Sequence, residues 1–248
     1  MIRVQHLTKR YGTHLAVDDL NLSIERGKIY GFLGPNGAGK STTMNIMTGC
    51  LSATEGTVTI DGFDIRLDPL NAKKRIGYLP EQPPLDLDLT PQEYLDLIAG
   101  LKGIPAPEAE EQIREIMGLT GLTEVRHRLI RNLSKGYQQR VGMAQAFLGD
   151  PEIVILDEPM NGLDPKQIAE IRDAIHRLGT KHTILISSHI LGEIRMICDE
   201  IIILANGRLV IQDSMQNLMK LAPGGTLEEV FLSLVENGGG QATDESSL

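Results

Sequence analysis

The sequence predicts an α/β fold: a mixed sheet with a parallel core covered by helices, an antiparallel β layer at its edge, and an inserted helical segment. Three observations carry this. Ile153 to Leu156, Ile184 to Ile186 and Ile201 to Leu204 are unbroken aliphatic runs, as expected of strands buried on both faces. Between the first two, Asp164-Pro165 supplies an N-cap and a proline at the first helical position. Ile168, Ile171, Ile175 and Leu178 then follow at helical spacing, which makes a strand–helix–strand unit. In the first 60 residues the pattern changes to alternation, in Leu20, Leu22 and Ile24 and again in Val58 and Ile60, the mark of half-exposed antiparallel strands.

In chain order, Ile29 to Leu33 reads as a strand ending in a glycine-rich turn, and Met44, Ile46 and Met47 mark the helix after it. Residues 84–150 read as mainly helical. Thr90-Pro91-Gln92-Glu93 is a capping box with proline at the first helical position, and Tyr94, Leu95, Ile98 and Leu101 supply one apolar face. A break is expected over Gly103 to Pro107, then a second helix marked by Ala109, Ile113, Ile116 and Met117. Glu108, Glu111 and Glu115 fall on its other face and read as a solvated surface. The expected organisation is a core of residues 1–83 and 151–222, a helical subdomain of residues 84–150 and a C-terminal helix of residues 223–235. The tail, 236–248, has nothing to bury and is expected to be disordered.

Composition narrows the class. The 248 residues carry 24 Lys+Arg against 33 Asp+Glu, a formal charge of −9, which argues against a protein that coats nucleic acid. Aromatic residues make up 4% with no Trp, so platforms for stacking bases are scarce. No uncharged apolar stretch approaches the roughly 20 residues of a membrane-spanning helix, and the opening segment lacks the apolar run of a secretory signal. Cys50 and Cys198 have no metal-ligand or CxxC spacing and are expected to be packed, inert thiols in a reducing compartment.

The strongest local signal is Gly34-Pro35-Asn36-Gly37-Ala38-Gly39-Lys40-Ser41, a G-x-x-x-x-G-K-[ST] loop between a predicted strand and a predicted helix. Glycines let backbone N–H groups turn inward around phosphate oxygens, and the following helix offers unpaired N–H groups to the same anion. Lys40 can reach the β- and γ-phosphates, and the Ser41 hydroxyl can bind Mg²⁺. Asp157-Glu158 follows the buried strand that ends at Leu156. Asp157 is placed to hold Mg²⁺, and Glu158 to orient or deprotonate an attacking water.

Together with the motifs that follow, these residues make the chain resemble the nucleotide-binding subunits of ATP-binding-cassette (ABC) transporters, over residues 2–235. Leu133-Ser134-Lys135-Gly136-Tyr137-Gln138-Gln139-Arg140 resembles the family's LSGGQ signature, and Asn161-Gly162-Leu163-Asp164 its D-loop. Ser187-Ser188-His189 is similar to the switch histidine, and Tyr11 lies where the family stacks an aromatic ring on adenine. The signature departs from the pattern, reading SKGYQ where SGGQ is usual. At the Q-loop the family's glutamine falls on Glu81, with Gln82 next. Both variants, and Gly225 to Phe231, resemble cassettes that serve export-type permeases.

The resemblance implies a P-loop NTPase fold of the ABC ATPase-like type, with residues 1–235 as the ATPase domain, and the cofactors ATP and Mg²⁺. It implies nucleotide contacts from Tyr11, from the loop Gly34 to Lys40 (Pro35, Asn36, Gly37, Ala38 and Gly39 between them) and from Ser41 and Thr42. The implied catalytic residues are Glu158, His189 and Lys40; the implied Mg²⁺ ligands are Ser41, Asp157 and either Glu81 or Gln82. Two such domains would pair head to tail, so that Ser134 and Gly136 face the γ-phosphate held by a second ABC subunit, a homodimer being the simplest case. The expected activity is ATP hydrolysis driving transport, in the direction of export, through a separate integral membrane permease. The protein would then sit peripherally on the cytoplasmic face of the membrane, with no nucleic acid partner. Two alternatives stand beside this: a soluble ABC ATPase acting on nucleic acid or ribosomes, and an ATP-gated interaction module that does not hydrolyse.

Overall fold

A computed structural model describes residues 1–221 and 225–238. Two sheets and nine helices among these residues build the fold. Strands β1 (Ile2–Tyr11) and β2 (His14–Ile24) form a hairpin, β3 (Ile29–Leu33) crosses to the second sheet, and α1 (Lys40–Met47) follows it. Strands β4 (Glu55–Ile60) and β5 (Phe63–Asp64) complete an antiparallel sheet of order β2-β1-β4-β5. Its register sets Ile2 opposite both Ile24 and Ile60, and Val4 opposite Leu22 and Val58, so every second side chain points into the core.

Helix α2 (Pro69–Lys73) leads to β6 (Ile76–Leu79), and the chain then enters three helices: α3 (Pro91–Lys102), α4 (Ala106–Thr120) and α5 (Lys135–Phe147). It returns through β7 (Ile153–Leu156), α6 (Pro165–Gly179), β8 (Thr183–Ser187), α7 (Leu191–Ile197) and β9 (Glu200–Ala205). Strand β10 (Arg208–Ser214) and helices α8 (Met215–Lys220) and α9 (Leu227–Gly238) close the described chain. The large sheet has the order β10-β9-β3-β8-β7-β6, parallel except for β10. Its aliphatic runs divide by alternation. Ile153, Ile155 and Leu185 pack toward α1 and the antiparallel sheet, whereas Val154, Leu156, Ile184 and Ile186 pack toward the helices. The two cores are the two faces of one sheet.

Four expectations need correction. Leu101 is 75% exposed; the turn at Gly103 folds Ile104 back instead, its N–H bonding to the Ala99 carbonyl at 3.0 Å, and Ile104 takes the packing position. The break between α3 and α4 is shorter than Gly103 to Pro107, because Pro107 is accommodated in the first turn of α4, where no intrahelical N–H is needed. Cys50 is exposed, since α1 ends at Met47 and the chain has already left the core; Cys198 is buried, with its thiol pKa pushed up by burial. The C-terminal helix is Leu227–Gly238: of the expected 223–235, residues 223–224 lie outside the described residues and 225–226 precede the helix. Thr226 and Glu229 form a reciprocal cap, Glu229 N–H to Thr226 Oγ1 and Thr226 N–H to Glu229 Oε2, that fixes its start. Residues 236–238 of the expected tail are therefore helical, and 239–248 lie outside the described residues.

Strand β10 was not anticipated, yet Asn206-Gly207 joins it to β9 with φ of 51° and 78°, the two positive angles that a two-residue hairpin turn requires.

Candidate active site

The C-terminal ends of β3, β7 and β8 meet where the antiparallel hairpin overhangs the parallel sheet, the position at which open α/β sheets place ligands. Strand β3 delivers the chain into the loop Gly34–Gly39. Gly39 sits at φ 94° as N-cap of α1, and a Cβ there would stand 2.5 Å from the Ala16 carbonyl oxygen of β2. The loop is thus wedged under the hairpin in a conformation open only to glycine. Lys40 opens α1 and turns back over the loop, its Nζ donating to the carbonyls of Gly34 at 2.6 Å and Pro35 at 3.2 Å. Burial lowers the Lys40 pKa; the carboxylates of Glu158 and Asp157 oppose that shift without reversing it. A half-buried ammonium beside a glycine loop and the N-terminal end of a helix is a ready anion site.

Opposite the loop, β7 ends in Asp157, which is buried. Ser187 at the end of β8 donates its hydroxyl to Asp157 Oδ1 at 2.6 Å, and accepts the N–H of Glu158 at 2.9 Å. Asp157 Oδ2 has no hydrogen-bond partner among the described residues. Glu158 sits at φ 49°, a left-handed conformation that costs a side-chain-bearing residue roughly 1–2 kcal/mol. The Ser187 bond and the turn in which Asn161 N–H reaches the Glu158 carbonyl (3.1 Å) hold it there. Glu158 Oε2 lies 2.7 Å from His189 Nδ1 and 3.4 Å from the His189 N–H. With Nδ1 protonated, the ring donates to the carboxylate.

The resulting cleft, about 590 Å³, is lined by Tyr11, Asn36 to Thr42, Glu81, Glu158 and His189. His14 and Ala16 also line it and were not singled out from sequence; Asn161, the first residue of the D-loop-like segment, lines it as well. Asn161 donates Nδ2–H to Glu81 Oε1 at 3.2 Å. Tyr11, 47% exposed on the rim, carries the Lys9 ammonium 5.1 Å from its ring centroid. Gly34, Pro35 and Asp157 adjoin the cleft without lining it. Gln82 falls outside, on a neighbouring groove with Pro83, Lys135 and Gln138. Ser134 and Gly136 are outside as well, at the start of α5, where Ser134 Oγ accepts the Tyr137 N–H at 3.5 Å.

The donor set is oxygen-rich: a Ser41 hydroxyl, Asp157 and Glu81. Among the described residues no group of three or more His, Cys, Asp or Glu is placed to hold a metal ion. A hydroxyl and two carboxylates are hard oxygen donors of the kind Mg²⁺ takes, its shell being completed with water and phosphate oxygens. Chemically, then, the cleft can bind a polyphosphate, offer hard oxygens to a divalent ion, and present a carboxylate–imidazole pair to a water.

Residues 17–161 match the family described as ABC transporter. The bacitracin transport ATP-binding protein BcrA of Bacillus licheniformis is 40% identical over 222 residues, covering 89% of this chain and 72% of that protein. The lantibiotic transport ATP-binding protein SrtF of Streptococcus pyogenes is 35% identical over 225 residues, covering 89% of this chain and 95% of that protein. Among solved structures, an ATP-binding subunit of an ABC transporter superposes with a TM-score of 0.86 at 30% identity, covering 94% of this chain and 99% of that one. A dimeric ATP-binding cassette in a post-hydrolysis state, bound to ADP and Pi, gives 0.78 at 28% identity over 87% of this chain and 99% of that one.

Proposed function

We infer, for a chain that belongs to the ABC transporter family, that it is the subunit whose ATP hydrolysis powers export through a separate integral membrane permease. The chain is an ATPase. The observation that carries the residue-level reading is the Glu158–His189 pair, 2.7 Å apart, across the cleft from the Lys40 loop. The names of the bacitracin and lantibiotic relatives support a transport role. The reading assigns the membrane crossing to another chain and places this one peripherally on the cytoplasmic face. Among the described residues no helix is long and apolar enough to cross a membrane.

In the proposed mechanism Tyr11 stacks on the base and the Gly34–Gly39 N–H groups and Lys40 take the phosphates. Lys40 gives up its carbonyl contacts to Gly34 and Pro35 for the more strongly held β- and γ-phosphate oxygens. Ser41, Asp157 and Glu81 would hold Mg²⁺, with Ser187 fixing the orientation of Asp157. Bound there, the ion would offset the charge of the phosphates. Glu158 accepts the proton of the attacking water, and His189 holds that carboxylate through Nδ1–H, which leaves Nε2, protonated in the imidazolium form, to contact the γ-phosphate. Ser134 and Gly136 would complete the site of a second subunit.

The test is Glu158→Gln in the chain assembled with its permease. Removal of a general base lowers turnover by about a hundredfold or more, and in the same variant free of the permease the ATP-bound dimer should accumulate, visible as a doubled mass in light scattering. A variant that hydrolyses ATP at the wild-type rate removes Glu158 from the mechanism.

A further inference from the structure

Two carboxylates, Glu81 and Glu158, face one small cleft together with Lys40 and Ser41. Like charges confined this way repel, and an exposed glutamate loses rotamer freedom when it is fixed, so each needs a donor to hold it. Glu158 has His189. Glu81, exposed just beyond the end of β6, has a single described hydrogen bond, from Asn161, 80 residues away in sequence. Asn161 is well suited to this. Its backbone is pinned by the turn to the Glu158 carbonyl at 3.1 Å, over Pro159 and Met160, which are both buried. A carboxamide is a donor at every pH, so its hold on a carboxylate does not titrate. The contact occupies Glu81 Oε1 and leaves Oε2 with no hydrogen-bond or ion-pair partner among the described residues.

We propose that Asn161 is a positioning residue, one that orients the Glu81 carboxylate as a divalent-cation ligand of the bound nucleotide. The inference rests on the assignment of Glu81 to the metal made above and adds the residue that makes it effective. Asn161 touches neither the ion nor the phosphates; it acts through Glu81. It also puts the Glu81 and Glu158 carboxylates under the control of one short turn, because the loop that carries Glu158 also carries the donor for Glu81.

The experiment is a Mn²⁺ titration of the full-length chain loaded with ATP, followed by electron paramagnetic resonance, in a Glu158→Gln background so that the nucleotide stays intact. Removing a donor that orients a metal-binding side chain typically weakens the metal by 10- to 100-fold, and for this exposed pair we expect about tenfold for Asn161→Ala. ATP affinity in EDTA should be unchanged by the same substitution. Asn161→Ala combined with Glu81→Ala should bind Mn²⁺ no more weakly than Glu81→Ala alone, as expected of residues acting in series. Wild-type Mn²⁺ affinity in Asn161→Ala, or additive losses in the double variant, overturns the proposal. Wild-type Mn²⁺ affinity in Glu81→Ala overturns the metal assignment beneath it and the proposal with it. Failure to bind ATP even without metal would instead count against the nucleotide site as a whole.

Discussion

Lys40 is strained electrostatically before its ligand arrives. Its ammonium is partly desolvated and satisfied only by two carbonyl groups, so its pKa lies below the ordinary lysine value. The sign of the consequence follows. A phosphate favours the charged form, so ATP affinity is full at neutral pH and falls as pH rises through the depressed value, below the roughly 10.4 of a free lysine. In that window nucleotide binding takes up a proton. Titrating a fluorescent ATP analogue from about pH 7 to 10 should show the fall, and Lys40→Arg should flatten it because guanidinium stays charged. A wild-type profile flat across that range would place Lys40 outside the phosphate contacts. The residues of this loop were legible because the chemistry is contiguous, one strand, one turn and one helix start. Ser187 and Asn161 were not, although both lay inside quoted motifs. Their partners, Asp157 and Glu81, are 30 and 80 residues away, and only the sheet order brings them together.

At the scale of elements, α5 lies directly on β6. A Cβ at Gly77 would fall 1.8 Å from the Ala146 carbonyl oxygen, and one at Gly142 would fall 2.7 Å from Leu79 Cδ1 and from Pro83 Cβ. Helix α5 carries Ser134 at its start and β6 leads to Glu81, so this contact sets the spacing of two of the proposed functional loops. Gly77→Ala should therefore destabilise by about 3 kcal/mol, the upper end of overpacking costs, since backbone cannot swing aside. Gly100→Ala, on α3 with nothing within 4 Å, should be neutral or stabilising by about 0.5–1 kcal/mol. Urea midpoints of the two variants check both signs, and equal midpoints would mean that the helix and strand are not held this closely. The termini of helices were the most readable elements, because capping residues act locally: Thr90 with Glu93 caps as its spacing predicts, and Asp164 caps α6 as expected, with Gln167 as a reciprocal partner that only the structure adds. Leu101 misled because helical spacing gives a direction, not a partner. At the last turn of α3 it is the chain's own return at Ile104 that packs on the core, and Leu101 faces away.

At the scale of the whole molecule, the proposed function gives a chain of formal charge −9 a local anion site, the cleft that Lys40 lines. That cleft is open on the side away from the sheet, and Ser134 and Gly136, expected at the γ-phosphate, do not line it. Within one chain the signature residues have no ligand to meet, so either they serve only to start α5 or they serve another copy. The two cases separate by mixing. Lys40→Ala should disable the chain's own phosphate loop, and Ser134→Arg should disable only what the chain offers to a partner. Each alone should be inactive as a homodimer. In a head-to-tail heterodimer both defects fall in the same composite site, and the other site pairs an intact Lys40 with an intact Ser134. Random exchange makes about half the dimers mixed, each with one of two sites whole, so activity should return to about a quarter of wild type if the sites turn over independently. The measurement is phosphate release from an equimolar mixture against each variant alone. If Ser134→Arg is fully active by itself, Ser134 is a helix cap and nothing more. If both are dead and mixing restores nothing although the mixture still binds nucleotide through the intact Lys40 loop, the sites are not shared between chains. Recovery confined to the mixture leaves only the trans arrangement, because no single chain in that tube holds both an intact phosphate loop and an intact signature.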